Sequence, residues 1–267
     1  RGVLQGRKKF NYLGYGIISE SIIKLIFSVF FVFIGFKVFG SIIGILIGSF
    51  FGILFSIMFN KDLLKNKEEK IELNNAYKES IPFFVSMLVV FLVLSLDIIL
   101  AKRFFSSEIA GKYAVLSMLG KIIFFGTMAI GKAMFPLSSE KHENSGSSGK
   151  VFRKAFLIVT ILCVLASLFY YLVPELIIRI LYGRQYIEMA PYLIYSGISL
   201  SFLSLSNLVL LYGLSINRLK RSYLLFLFLI INVILLSYFH SNILEYLIAF
   251  TISNMIMFIG CLLIVRR

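Results

Sequence analysis

Side chains that build catalytic and metal sites are scarce in this 267-residue chain, which has two cysteines, two histidines and 13 acidic residues against 27 lysines and arginines. Cys163 and Cys261 stand alone within apolar segments, so they form neither a disulfide framework nor a set of metal ligands. His142 and His240 are far apart, and the HExxH, CxxC and GxSxG motifs are missing. We therefore expect a non-catalytic protein without a metal or cofactor.

Apolar residues dominate the composition. The chain is 59% hydrophobic and its mean hydropathy is +0.93, well above the roughly 45 to 50% apolar content of soluble domains. The apolar runs are about 20 residues long and do not alternate, which favours an all-α polytopic bundle over a barrel. We predict eight spans: Leu13–Phe36, Val38–Phe59, Ile81–Leu100, Tyr113–Phe135, Ala155–Val173, Tyr192–Tyr212, Tyr223–Phe239 and Leu244–Val265. The four prolines are expected at span boundaries.

The basic residues follow the loops. In a soluble protein the net charge of +14 would suggest nucleic acid, but here 18 lysines and arginines lie on one side of the predicted spans and six on the other. By the positive-inside rule, both ends of this segment are cytoplasmic, in a multi-pass protein of the cytoplasmic membrane. We expect membrane lipids as partners and no nucleic acid.

One connection is longer and more charged than the others. Residues 60–80 contain the run KDLLKNKEEKIELNNAYKES, whose mixed charge is typical of an amphipathic cytoplasmic linker. It separates two spans in residues 1–59 from six in residues 81–267. Since Arg1 opens the chain without an initiator Met, we expect a piece of a longer protein.

Two opposite charges lie inside the first span. Glu20 precedes Lys24 by four residues, the favourable order for an ion pair within one helix. One interpretation is that the two residues neutralise each other and have a structural role. The other is functional: Lys24 contacts an anionic substrate, and Glu20 tunes Lys24 or competes for it. Intramembrane charges are costly and mark functional sites by default.

The fourth span carries two cations. Lys121 and Lys132 are 11 residues apart, about three helical turns, so they share one face with Phe125 and Met128. Two cations on one stripe favour a basic substrate path, although Lys132 is close enough to the span end to reach the headgroups instead.

Three further features have two interpretations each. Asp97, near the outer end of the third span, either pairs with a loop cation or caps a helix, or else binds a coupling proton or sodium ion. The polar residues of the sixth span either bond to other helices or line a cavity. The glycines at positions 40, 44, 48 and 52 permit close packing against a helix of the same chain or of a second copy.

Several motifs resemble those of polysaccharide flippases, the exporters of O-antigen and lipid-linked oligosaccharides in the multidrug/oligosaccharidyl-lipid/polysaccharide superfamily. The resemblance covers essentially the whole chain and is most specific in the external turn with its Tyr-Gly-x-x-Tyr core. The matching elements are RGVLQG with Phe10, then Asp97, Phe105, AGKYAV (Ala110 to Val115), FPLSS (Phe135 to Ser139) and PELIIRILYGRQYIEMAPYL (Pro174 to Leu193).

The resemblance implies a fold and an activity. Members have 12 or more helices in two six-helix lobes, so the eight spans would be helices 5 to 12. Residues 1–59 would hold a cytoplasmic entry segment and the last two N-lobe helices, residues 60–80 the inter-lobe linker, and residues 81–267 the C-lobe. The missing N-terminal helices would then be partners. The implied activity is alternating-access translocation of an anionic lipid-linked oligosaccharide, held by Lys24, Lys121 and Lys132, with H+ or Na+ as a candidate coupling ion.

Two other functions remain open. A cation-coupled multidrug exporter of the same fold would normally need more carboxylates than Glu20 and Asp97 in the spans. A membrane polymerase or glycosyltransferase would need a larger extramembrane catalytic surface than residues 174–190 provide.

Overall fold

The computed structural model describes residues 2–7, 9–61, 73–145, 148–219 and 221–266. Every regular element in these ranges is helical, which confirms the all-α prediction. The long helices are α2 (Phe10–Phe31), α3 (Lys37–Met58), α4 (Leu73–Phe104), α5 (Ser107–Ser145), α6 (Gly149–Leu172), α8 (Leu193–Ser215), α9 (Leu225–Tyr238) and α10 (Ile243–Arg266). The short ones are α1 (Gly2–Gly6) and α7 (Pro174–Leu181), and short π or 3₁₀ helices occupy Val32–Phe36, Arg184–Tyr192 and Ser222–Leu224.

Each of the eight long helices overlaps one of the eight predicted spans. By length and composition, six stretches of the described residues can cross a membrane, because α2 and α3 run together as Asn11–Met58 and α9 is shorter. Many large apolar side chains point outward, such as Phe33, which is 91% exposed, and Phe39, which is 74% exposed. An apolar exterior on membrane-length helices is what hydrocarbon surroundings require. The protein is a polytopic membrane protein.

Two of the predicted proline boundaries are wrong. Pro82 lies inside α4 and Pro136 inside α5, whereas Pro174 begins α7. Membrane helices tolerate an internal proline because neighbouring groups compensate for the lost backbone hydrogen bond. As a result α4 begins eight residues before the predicted Ile81 and α5 continues to Ser145.

The chain divides into two compact units, Arg1–Ile71 and Glu72–Arg267. Residues 62–72 of the predicted linker lie outside the described residues, as does Arg1 of the N-terminal motif, and residues 73–80 belong to α4. The predicted domain boundaries therefore stay a prediction.

The first unit is a helical hairpin. The chain reverses at Gly35, with φ of 109°, and Lys37, with φ of 48°, and α3 packs back along α2. The glycine stripe makes this packing close, because a Cβ on Gly40 would lie 2.8 Å from the backbone carbon of Phe31 and one on Gly44 would overlap the backbone of Ser28. The prediction that the stripe packs against a helix of the same chain is confirmed.

The second unit is built around α8. This helix packs against α5, α6 and α10, while α9 lies between α10 and α4 and α4 returns to α5. Leu193, Leu200, Leu203 and Leu210 on α8 are 0% exposed. This arrangement brings α4, α5 and α10 together where α4 ends and the other two begin.

The glycine contacts predict the effect of one substitution in the hairpin. Gly44→Leu should destabilise the protein by about 1 to 3 kcal/mol or more, because its side chain meets Ser28 backbone that cannot rotate away. Gly14→Leu on α2 is the matched control, since nothing lies within 4 Å of a Cβ there. The measurement is the fraction of protein that stays monodisperse in detergent after heating; equal losses in both variants would contradict the packing argument.

Candidate functional site

A buried carboxylate joins the helices of the second unit. Asp97 on α4 is 0% exposed. Its Oδ1 accepts a hydrogen bond from Lys121 Nζ at 3.3 Å, and its Oδ2 accepts one from Tyr113 Oη at 3.2 Å and another from Ser117 Oγ. Both carboxylate oxygens therefore have donors, one of which carries a positive charge.

The donors come from one face of α5. Tyr113, Ser117 and Lys121 are spaced by four residues, so their side chains lie one above another along the helix. A third helix completes the cluster, because the Tyr246 hydroxyl on α10 donates to the Asp97 backbone oxygen at 2.7 Å. The rings of Tyr113 and Tyr246 also meet edge to face, with centroids 5.0 Å apart. We call these five residues the Asp97 cluster.

The ion pair of the Asp97 cluster is shielded on both sides. Lys121 is 7% exposed, so neither charge is solvated by bulk water. Burying two opposite charges costs nearly as much as their attraction returns, but removing one of them leaves an unpaired buried charge. The pair therefore fixes α4 relative to α5 strongly.

Of the interpretations left open for Asp97, pairing is the one seen, but with a different partner. Asp97 pairs with Lys121 of the next span and not with a loop cation, because the side-by-side packing of α4 and α5 brings two intramembrane charges within reach of each other. Lys132 lies on α5 about 16 Å further along the helix axis and is half-buried. The substrate-binding roles of Lys121 and Lys132 and an ion-coupling role for Asp97 stay predictions.

The second charged pair lies in the hairpin. Lys24 Nζ is 2.6 Å from Glu20 Oε1, as the spacing of four residues predicts. The two side chains differ in exposure, 9% for Glu20 and 32% for Lys24. Glu20 is confined because its carboxylate lies against Gly52, where even a Cβ would collide with it. Lys24 is thus the more exposed member of the pair, and the carboxylate lies inside the hairpin.

Two serines of α8 bond to other helices, and others donate to carbonyls within α8. Ser196 Oγ donates to the Leu116 carbonyl on α5 at 2.6 Å, and Asn254 on α10 donates to Ser199 Oγ at 2.9 Å. Of the two interpretations left open for these residues, interhelical hydrogen bonding is the one seen at both positions. Such bonds stabilise membrane bundles because lipid offers no alternative partner.

Sequence reasoning missed three members of the Asp97 cluster. Tyr113 and Ser117 could have been found from their spacing, since they precede Lys121 on its own helical face. Tyr246 gave no such signal, because its position depends on the packing of α10 against the other helices.

The comparisons with known proteins identify a family. A family model described as polysaccharide biosynthesis protein matches residues 2–191. The match spans most of the chain, including both charged pairs, and it confirms the family resemblance. No curated protein and no solved structure matched the chain.

The Asp97 cluster predicts a non-additive double-mutant cycle. Lys121→Met alone should destabilise the protein by about 3 to 5 kcal/mol, because Asp97 is then left buried without a counter-charge. Asp97→Leu combined with Lys121→Met should cost less than either single change. The measurement is thermal unfolding in detergent.

Lys112→Met is the control for this cycle. Lys112 lies on the same helix and pairs with Glu108 at 2.8 Å and Glu188 at 2.5 Å, but Glu188 is 53% exposed and Glu108 is 77% exposed. Exposed ion pairs contribute about 0 to 1 kcal/mol. Additive costs at Asp97 and Lys121 would show that their charges are not coupled.

Proposed function

Because the chain belongs to the polysaccharide biosynthesis protein family, with a role in polysaccharide biosynthesis or transport, we propose that it is a flippase. It moves a lipid-linked oligosaccharide across the cytoplasmic membrane by alternating access and performs no catalysis. In the orientation given by the basic loops, both ends of this segment are cytoplasmic. The carried lipid has an anionic phosphate head.

The observation that supports this proposal is that a membrane helix carries a partly exposed cation. Lys24 has one third of its side chain exposed, while the carboxylate that neutralises it is held against Gly52. An arriving phosphate can therefore attract the ammonium group without displacing Glu20 from the hairpin. When no substrate is bound, Glu20 neutralises Lys24 and lowers the cost of keeping a cation in hydrocarbon.

The Asp97 cluster has a different part in the proposal. Lys121 is engaged by Asp97, so an anionic head can bind it only in competition with that carboxylate. Such competition would loosen the contact between α4 and α5 when substrate arrives. When the substrate leaves, Lys121 would pair with Asp97 again and restore that contact. Asp97 is also the candidate site for a coupling proton or sodium ion, because it is the carboxylate freed in that exchange.

An enzymatic role is the less supported alternative. The connection between α6 and α8 folds as α7 followed by the short 3₁₀ helix Arg184–Tyr192, and Ile177, Ile178 and Met189 are buried. Its Glu188 is occupied in an ion pair with Lys112. The connection therefore acts as a packed cover on the ends of the helices, which suits a transporter better than a sugar-transferring surface.

The test is translocation of a lipid pyrophosphate oligosaccharide by the full-length protein in liposomes. Lys24→Ala should slow translocation at least about tenfold, since a hydrogen bond to a charged group contributes about 1.5 to 3 kcal/mol. Lys24→Arg should retain it because the cation remains. Glu20→Gln should not slow it, since this change removes the competing carboxylate.

The controls separate a substrate contact from a structural pair. If Glu20→Gln and Lys24→Ala reduce the yield of monodisperse protein and translocation equally, the pair is structural. A wild-type protein that joins sugars without moving the lipid would replace the flippase with the enzyme. The same liposomes, run with and without a proton or sodium gradient, test coupling; a rate independent of both gradients would leave Asp97 only as the partner of Lys121.

A further inference from the structure

A second cationic site lies at the opposite end of the second unit, where α5 and α8 end, α6 begins and α10 ends. These four helix ends enclose a cavity of about 580 Å³, which we call the terminal cavity. Its polar lining includes Arg218, Arg266, His142, Ser148 and Tyr212. None of the described residues that line it is acidic.

The backbone holds Arg218 in place beside the terminal cavity. After α8 ends, Asn217 adopts a left-handed conformation with φ of 54°. The Arg218 backbone N–H donates to the Gly213 carbonyl at 2.9 Å, and the Asn217 N–H donates to the Leu214 carbonyl at 3.1 Å. These two bonds form a Schellman motif. Arg218 is therefore held in place by the end of its helix, while its side chain remains exposed.

The start of α6 contributes a second positive element. Ser148 precedes the first residue of this 24-residue helix, but its side chain makes no capping hydrogen bond. Its hydroxyl lies instead 3.3 Å from the Tyr212 hydroxyl on α8. The first N–H groups of a helix have no partner within the helix, and its dipole favours an anion at that end. A ligand in the cavity would meet these groups beside two hydroxyls.

Aromatic rings also line the terminal cavity. The rings of Phe152 and Tyr212 stack with centroids 4.2 Å apart at 21° and join α6 to α8. Two arginines, from the ends of α8 and α10, line the same cavity. Arginine binds phosphate oxygens in a planar, two-bond geometry that lysine cannot reproduce.

We propose that the terminal cavity binds a phosphate-bearing ligand, whose oxygens are held by Arg218 and Arg266 and by the start of α6. The ligand is either the head of an anionic membrane lipid or a free phosphate compound, since the cavity lies at the ends of the membrane helices. This site shares no residue with the Glu20–Lys24 pair or the Asp97 cluster, and the proposal does not depend on flippase activity. Occupancy would tie four helix ends together and so stabilise the bundle.

The experiment measures the thermal unfolding midpoint of the full-length protein in neutral detergent with phosphatidylcholine. One arm adds dioleoyl phosphatidic acid and the other adds inorganic pyrophosphate, each at constant ionic strength. We expect a rise in the midpoint with at least one probe. Arg218→Gln and Arg266→Gln should each weaken the apparent affinity about tenfold, because each removes a charge-assisted pair of bonds.

Arg221→Gln is the matched control, because Arg221 is exposed and only three residues from Arg218 but does not line the cavity. It should retain the full rise. A rise with phosphatidic acid alone identifies a lipid head, and a rise with pyrophosphate identifies a free phosphate compound as sufficient. If the midpoint rises equally in the Arg218→Gln, Arg266→Gln and Arg221→Gln variants, the probes are attracted only by the general positive charge of the protein and the proposal is overturned. The absence of a rise with either probe would also overturn it.

Discussion

A charge placed in hydrocarbon must find a counter-charge, and this requirement organises the second unit. Asp97 and Lys121 lie on different helices, so their pairing sets the register of α4 against α5. The second carboxylate oxygen accepts hydrogen bonds from Tyr113 and Ser117, and Tyr246 brings α10 to the same point. Because a buried charge without a partner costs several kcal/mol, registers of α4 against α5 that separate Asp97 from Lys121 are strongly disfavoured.

The hairpin meets the same requirement in another way. Its two charges lie one turn apart on α2 and form an ion pair within that helix. The helix α3 accommodates this pair because Gly48 and Gly52 have no side chains and so leave room for Lys24 and Glu20 against the α3 backbone. One unit thus uses charge to join its helices, and the other uses glycine to accommodate a charge that is already paired.

The sequence predicted the number and positions of the long helices, because apolar runs of membrane length have few alternatives. It also predicted the Glu20–Lys24 pair, which depends only on spacing along one helix. It did not predict that Asp97 pairs with Lys121, because that contact depends on the rotation of α4 and α5 about their own axes. The helix ends near Pro82 and Pro136 were misplaced because proline marks a helix boundary reliably only where water can bond the backbone groups that proline leaves unpaired.

The tight reversal at Gly35 has a consequence for how the protein is made. The 48 residues Asn11–Met58 form two membrane-length helices joined by a short turn, so the second follows the first out of the ribosome without an intervening soluble segment. Glu20 and Lys24 emerge on the first helix and can pair before α3 has been synthesised. In the folded hairpin that charge-balanced stretch of α2 is covered by the glycine face of α3.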